Sequence, residues 1–134
     1  MSAPAESPVH SNIDARFPQA MERAARVRLM IFDVDGVLTD GRLLDGPEGE
    51  ISKAFDTLDG HGIKLLQQNG VKTAIISARQ SSIVARRGAD LGISIVLQGV
   101  NDKRSAFENL LAEMGSQQHM EEKDKIANAQ GGAV

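Results

Sequence analysis

The chain has 134 residues, enough for one domain with its own core but not for two. Its hydrophobic fraction of 41% and charged fraction of 25% are those of an ordinary globular protein. A net charge of −3, no continuous basic run and neither Trp nor Tyr leave no basis for nucleic acid or an anionic membrane as partner. Cysteine is absent, which excludes disulfides and thiolate metal sites and fits a reducing cytoplasm. No apolar stretch approaches the roughly 20 residues that cross a bilayer.

In chain order, residues 1–17 read as a disordered lead-in rich in Ser, Pro and Ala, without the basic and apolar regions of a secretory signal. Pro18 opens a short helix to about Arg26, with Met21, Ala24 and Ala25 as its apolar face. Arg28 to Val34 is an apolar run, hence a buried strand. Residues 41–55 carry two short strand-like pieces around the turn Asp45-Gly46-Pro47-Glu48-Gly49, a β-hairpin inserted before the next helix. That helix spans Gly62 to Gln68 and stops at Asn69-Gly70. Val71 to Ile76 is the second core strand, and Ser81 or Ser82 caps a helix toward Leu91-Gly92. Ile93 to Leu97 is the third strand. The last helix runs from about Asp102 to Met114, capped by Asn101, and buries Phe107, Leu110, Leu111 and Met114. Residues 116–134 form a polar tail with no fourth strand. Alternating strands and helices give an α/β fold with an open, mainly parallel, three-layer Rossmann-like sheet and no large cap domain. The domain occupies residues 18–115 and its sheet is expected to be shortened on one side.

The chemistry concentrates where strands end. Asp33-Val34-Asp35-Gly36 presents two carboxylates two residues apart at the end of the first strand, where parallel sheets place their sites. Holding both there needs a cation, and magnesium suits carboxylate, carbonyl and water oxygens. Asp33 is the candidate nucleophile and Asp35 the candidate acid/base. Thr39 and Asp40 continue the loop, and Asp40 is equally a turn residue. Ser77 ends the second strand, either to bind a phosphoryl oxygen or to cap a helix. Arg79 offers a planar fork for phosphate or carboxylate, with a solvated arginine as the plain alternative. Lys103 sits at a helix N-terminus, where the dipole disfavours it, and so points to the site. Asp59-Gly60-His61-Gly62 reads as a loop approaching a ligand, or as a loop with Asp59 as helix cap.

Asp-x-Asp, Ser and Lys at successive strand ends resemble the haloacid dehalogenase superfamily of phosphatases. Asp33-Val34-Asp35-Gly36-Val37-Leu38-Thr39-Asp40 looks like its first motif, Ser77 its second and Lys103 its third. The stretches DVDGVLTDGRL, GEISKAF, DGHGIKLL, IISAR, LGI and QGVNDK are similar to those of the 3-deoxy-D-manno-octulosonate 8-phosphate phosphatases of lipopolysaccharide biosynthesis. The resemblance runs from about Arg28 to Gly115. It implies a magnesium-dependent phosphomonoesterase in which Asp33 is the nucleophile and Asp35 the acid/base, the metal being held by Asp33 and by the backbone of Asp35. Ser77 and Lys103 would hold the phosphoryl group, while Thr39, Arg79 and the Asp59 to Gly62 segment would meet the sugar acid. It also implies a cytoplasmic homotetramer whose hairpins pack together, burying Leu43, Leu44, Ile51 and Phe55.

The superfamily's fourth motif, a Gly-Asp-Asp after a fourth strand, has no counterpart. Met120-Glu121-Glu122-Lys123-Asp124-Lys125 stands at that spacing. The expectation is therefore a C-terminally shortened phosphatase with weakened metal affinity, set against an inactive or oligomerising binding module. A signalling receiver also uses strand-end acids with a lysine. It would need an aspartate after the third strand, where Gln98-Gly99 stands.

Overall fold

A computed structural model describes residues 15–131, and of residues 118, 119 and 121–131 only the backbone. The expected lead-in lies outside the described residues up to position 14, and the end of the expected tail lies outside them from position 132. The elements are α1 (Ala20–Ala25), β1 (Leu29–Phe32), β2 (Leu44–Gly46), β3 (Gly49–Ser52), α2 (Thr57–Gln68), β4 (Lys72–Ile76), α3 (Ser82–Asp90), β5 (Ile95–Leu97) and α4 (Lys103–Gly131).

Among the described residues β1, β4 and β5 form one parallel sheet in that spatial order, and β2 and β3 form a separate antiparallel pair. β4 is the central strand. Thr73 to Ile76 are all buried, as expected of a strand covered on both faces. Ile75 is in register with Phe32 on one side and Val96 on the other. It joins Val34, Leu38, Ile63, Val84, Leu91 and Ile93 in the main core, with Phe32, Phe55 and Val96 packed against it. The expected α/β architecture and inserted hairpin are therefore present.

Several expected boundaries shift. α2 begins at Thr57, so Asp59, Gly60, His61 and Gly62 lie in its first turns rather than in a loop. Its cap is Asp56, whose carboxylate accepts from Leu58 N at 2.8 Å, and not Asp59. Gly60 is buried, and a Cβ there would stand 2.8 Å from Arg87 Nη2 and 3.1 Å from Leu91 Cδ2. Close helix packing, rather than a loop, uses this glycine. The end of α2 is as expected, with Asn69 at the cap and Gly70 at φ +79°.

α1 buries none of its residues, so Met21 and its neighbours do not form a packed face. α4 is capped by Asp102, not Asn101: its carboxylate accepts from Ser105 N at 3.1 Å and Ser105 Oγ at 2.7 Å. The helix runs on through Gly115 to Gly131, well past the expected stop at Met114. One glycine in a helix costs only about 1 kcal/mol, and the following Gln, Met, Glu and Lys residues are good helix formers. Of its expected buried stripe only Leu110 is fully buried; Phe107 and Leu111 stay more than 40% exposed. α4 stands across a groove of about 1030 Å³ from β5, lined by Ile95, Leu97, Ala106, Leu110 and Met114 among others, and Phe107 and Leu111 are not part of that lining.

Candidate active site

The loop after β1 is wound around one carbonyl. Val34 O accepts from Val37 N, Leu38 N and Thr39 N at 2.9–3.1 Å, while the Val34 side chain is fully buried. This anchors the segment and leaves Asp33 and Asp35, which flank Val34, pointing toward the strand-end surface. Gly36 sits at φ +80°, where a Cβ is strained, so the turn needs glycine. The Thr39 hydroxyl accepts from Gly36 N at 3.3 Å and Gly41 N at 3.2 Å and donates to Val34 O at 3.4 Å. A hydroxyl has one donor and two acceptor sites, so these three bonds use its full capacity within the loop. Asp40 closes the adjacent turn, accepting from Arg42 N at 3.1 Å, which is the turn role.

Cations from three separate chain segments converge on the two aspartates. Lys103 Nζ lies 3.1 Å from Asp33 Oδ2, and Asp33 Oδ1 accepts from Val34 N at 2.8 Å. Lys103 is the first residue of α4, and this contact offsets its unfavourable place on the helix dipole. Arg79 Nε lies 3.6 Å from Asp35 Oδ2. Lys53 Nζ, reaching in from the hairpin, is 2.6 Å from Asp35 Oδ1 and 2.8 Å from Glu50 Oε1. The Glu50 carboxylate also accepts from Ser81 Oγ. Ser81 in turn caps α3 through Val84 N.

Ser77 is buried at the end of β4. Its backbone N–H donates to Leu97 O at 2.8 Å and its carbonyl accepts from Val100 N at 3.1 Å, which fixes it beside β5. Asp33 thus meets Lys103, and Asp35 meets Arg79, at one strand end. Among the described residues, no hydrogen bond or ion pair links Thr39, Asp59, Gly60, His61 or Gly62 to the aspartates; Asp59 and Gly62 line an apolar hollow with Met30 and Phe32 instead.

Lys53 and Glu50 are the functional residues that reading the sequence did not assign, although both stand in the quoted GEISKAF stretch. The Lys53 side chain is 1% exposed. Burial alone pulls its pKa down, but hydrogen bonds to Asp35 and Glu50 outweigh this and the net shift is upward. Glu50 is held below the usual carboxylate range by its hydrogen bonds from Lys53 and then Ser81.

Three carboxylates (Asp33, Asp35, Glu50) therefore face three cations (Lys53, Arg79, Lys103), a balanced cluster at the carboxyl end of the sheet. Its metal-capable donors are the hard oxygens of Asp33 and Asp35. Among the described residues no group of three or more His, Cys, Asp or Glu side chains is placed to hold an ion. Magnesium commonly takes only one or two carboxylates and completes its shell with waters and substrate phosphate, so this donor set fits it.

The sheet order, the strand-end aspartates and the lysine define a haloacid-dehalogenase-like fold. No protein-family model matches the chain. It is 42% identical over 97 residues to the 3-deoxy-D-manno-octulosonate 8-phosphate phosphatase of Yersinia pestis, covering 72% of this chain and 52% of that protein. The corresponding Escherichia coli K12 enzyme is 42% identical over 92 residues, covering 69% and 49%. Among solved structures, the Moraxella catarrhalis phosphatase in complex with magnesium, phosphate and the sugar acid is 39% identical with a TM-score of 0.68, covering 73% of this chain and 57% of that one. The cobalt-bound Haemophilus influenzae phosphatase is 42% identical with a TM-score of 0.66, covering 68% and 53%. The chain spans about half the length of the curated relatives it matches. It belongs to the haloacid dehalogenase superfamily and is homologous, over that half, to its 3-deoxy-D-manno-octulosonate 8-phosphate phosphatases.

Proposed function

We propose that the chain is a magnesium-dependent phosphomonoesterase acting on 3-deoxy-D-manno-octulosonate 8-phosphate in lipopolysaccharide biosynthesis. The observation that carries this reading is the meeting of Asp33 with Lys103 and of Asp35 with Arg79 at one strand end. Homology to phosphatases of that substrate supports it.

Asp33 and Asp35 would hold magnesium, which supplies charge neutralisation at the phosphoryl oxygens. With Asp35 carrying the proton it donates, Asp33 and Glu50 face Lys53, Arg79 and Lys103, and a divalent ion brings the local excess to three positive charges for a phosphate dianion. Lys103, Ser77 and Arg79 orient the phosphoryl group and the sugar acid. An Asp33 carboxylate oxygen attacks phosphorus. The bond from phosphorus to the ester oxygen breaks, and Asp35 gives its proton to the departing alkoxide. Water then attacks the aspartyl-phosphate, Asp35 takes a proton back, and the bond from phosphorus to the Asp33 oxygen breaks to release phosphate. Lys103 Nζ, 3.1 Å from Asp33 Oδ2, is placed to meet the negative charge of the transferring phosphoryl group. We place this chemistry in a cytoplasmic homotetramer: the cysteine-free composition fits a reducing compartment, and the exposed apolar side chains Leu43, Leu44 and Ile51 of the hairpin region suit an interface between copies.

Phosphate release from the 8-phosphate ester with magnesium tests the reading. Release that disappears in Asp33→Asn supports it, and release no greater than that variant's defeats it. A second reading, a non-catalytic binding module, is favoured because no three His, Cys, Asp or Glu side chains among the described residues are placed together to hold an ion. Magnesium titration separates the two. A rise in melting temperature with the ion, lost in Asp33→Asn, belongs to the enzyme; no response belongs to the module.

A further inference from the structure

Lys53 is nearly sealed from water, yet it comes from the hairpin, an element whose other side chains are largely exposed. Leu44 and Ile51 are 51% and 66% exposed. Burying an ammonium is costly unless it is fully paired. Here it has two carboxylates, Asp35 at 2.6 Å and Glu50 at 2.8 Å. Glu50 is in turn tied to Ser81 at the head of α3, and the Ser81 N–H donates to Gln98 Oε1 at 2.8 Å. The chain of contacts Gln98, Ser81, Glu50, Lys53, Asp35 links the segment after β5, the head of α3, the hairpin and the strand-end loop. It lies wholly within one chain.

Asp35 is thereby gripped at both oxygens. Lys53 holds Oδ1 and Arg79 approaches Oδ2. The two grips differ. The Arg79 side chain is 56% exposed and at a longer distance, so it is free to turn to a substrate, whereas Lys53 has no room to leave. We propose that Lys53 is a positioning residue that fixes the orientation of the Asp35 carboxylate for proton transfer, and that Glu50 holds Lys53 in place. This rests on the phosphatase reading above, with Asp35 as acid/base. The hairpin then serves the site of its own chain, whatever it does at an interface.

The leaving group separates positioning from general support. An alkyl phosphate needs a proton on its departing oxygen, while p-nitrophenolate leaves without one. In the full chain with magnesium, Lys53→Met lowers kcat/KM for the sugar-acid 8-phosphate by about a hundredfold or more, in the range of a lost general acid. For p-nitrophenyl phosphate the expected loss is at least about tenfold smaller. Asp35→Asn shows the same contrast, and Lys53→Arg restores part of the alkyl-ester activity. Equal losses on both esters, or no loss on either, overturn the proposal.

The Lys53 ammonium offers a second readout that needs no turnover. In the metal-free protein it gives a resolved, slowly exchanging ¹⁵N signal that moves in Asp35→Asn and in Glu50→Gln. An ammonium signal merged with those of solvated lysines overturns the proposal even if Lys53→Met does not fold. If the wild-type chain cleaves neither ester, the phosphatase reading falls, and the ammonium signal alone then decides whether the clamp exists.

Discussion

Around Asp33 and Asp35 single atoms decide what each residue can do. Thr39 looks in sequence like a substrate contact because it lies in the Asp-x-Asp segment. Its hydroxyl instead closes the loop with three hydrogen bonds, to Gly36, Gly41 and Val34. Thr39→Val keeps the shape and removes those bonds. We expect a stability loss of about 1–2 kcal/mol in urea unfolding, since two of the donors face water and recover part of the loss. Retention of wild-type stability would place the hydroxyl outside the loop's architecture. The grouping of Asp33, Asp35, Arg79 and Lys103 was legible because each stands within a few residues of an apolar strand end, where local pattern suffices. Lys53 and Glu50 were not. A Lys and a Glu on a short exposed hairpin ordinarily face solvent, and their partners are distant in sequence. Lys53 meets Asp35 18 positions away, and Glu50 meets Ser81 31 positions away. Only the tertiary return of the hairpin creates those contacts.

The core strands were readable as elements because β1, β4 and β5 are apolar runs, and β4 is buried along Thr73 to Ile76. Ile75 lies between Phe32 and Val96 and is 2% exposed. Ile75→Ala should therefore cost about 2–5 kcal/mol by chemical denaturation, with the upper end expected because neighbours on both strands cannot both collapse inward. The start of α2 was missed for a specific reason. Gly60 and Gly62 lower helix propensity, so the sequence alone favours a loop there, but packing of Gly60 against Arg87 and Leu91 overrides it. The cap assignment gives a clean test. Asp56→Ala should cost about 1 kcal/mol, whereas Asp59→Asn should cost little, because only Asp56 accepts from the helix amides. Equal effects in thermal melts would contradict a helix that starts at Thr57. The overextended burial expected for α4 has the converse cause. Phe107 and Leu111 have the right spacing for an apolar stripe, but only Leu110 and Met114 of that stripe line the groove facing β5, and Phe107 and Leu111 stay exposed.

At the scale of the whole molecule, the hairpin is joined to the sheet domain chiefly by charge. Leu43, Leu44 and Ile51 stay exposed, while Phe55 is partly buried against the core of its own chain under the Arg87 guanidinium, 5.7 Å from its ring centre. The polar clamp of Lys53, Glu50, Asp35 and Ser81 supplies the rest of the attachment, which makes the stability of the fold depend on pH in a definite direction. Glu50 is shifted down from 4.5, first by its hydrogen bond from Lys53 and then by that from Ser81. Between its lowered native value and 4.5 the unfolded chain binds more protons than the native one, so stability rises with pH. The Glu50 contribution is complete above that range and disappears as acid carries the solution down through the native value. Lys53 is shifted up from 10.5, because its hydrogen bonds to Asp35 and Glu50 outweigh the cost of its burial. Its contribution is complete below 10.5 and is lost as alkali passes the raised native value. The clamp should accordingly be intact across a broad plateau and fail on both flanks. Urea unfolding in steps from about pH 3 to pH 8 checks the acid flank. Wild type should lose stability progressively below the ordinary carboxylate value. Glu50→Gln should start lower on the plateau and fall less steeply on acidification, because the group that titrates has been removed. Parallel curves for the two proteins would mean that Glu50 does not couple the hairpin to the fold, and the acid sensitivity would then have to come from other carboxylates.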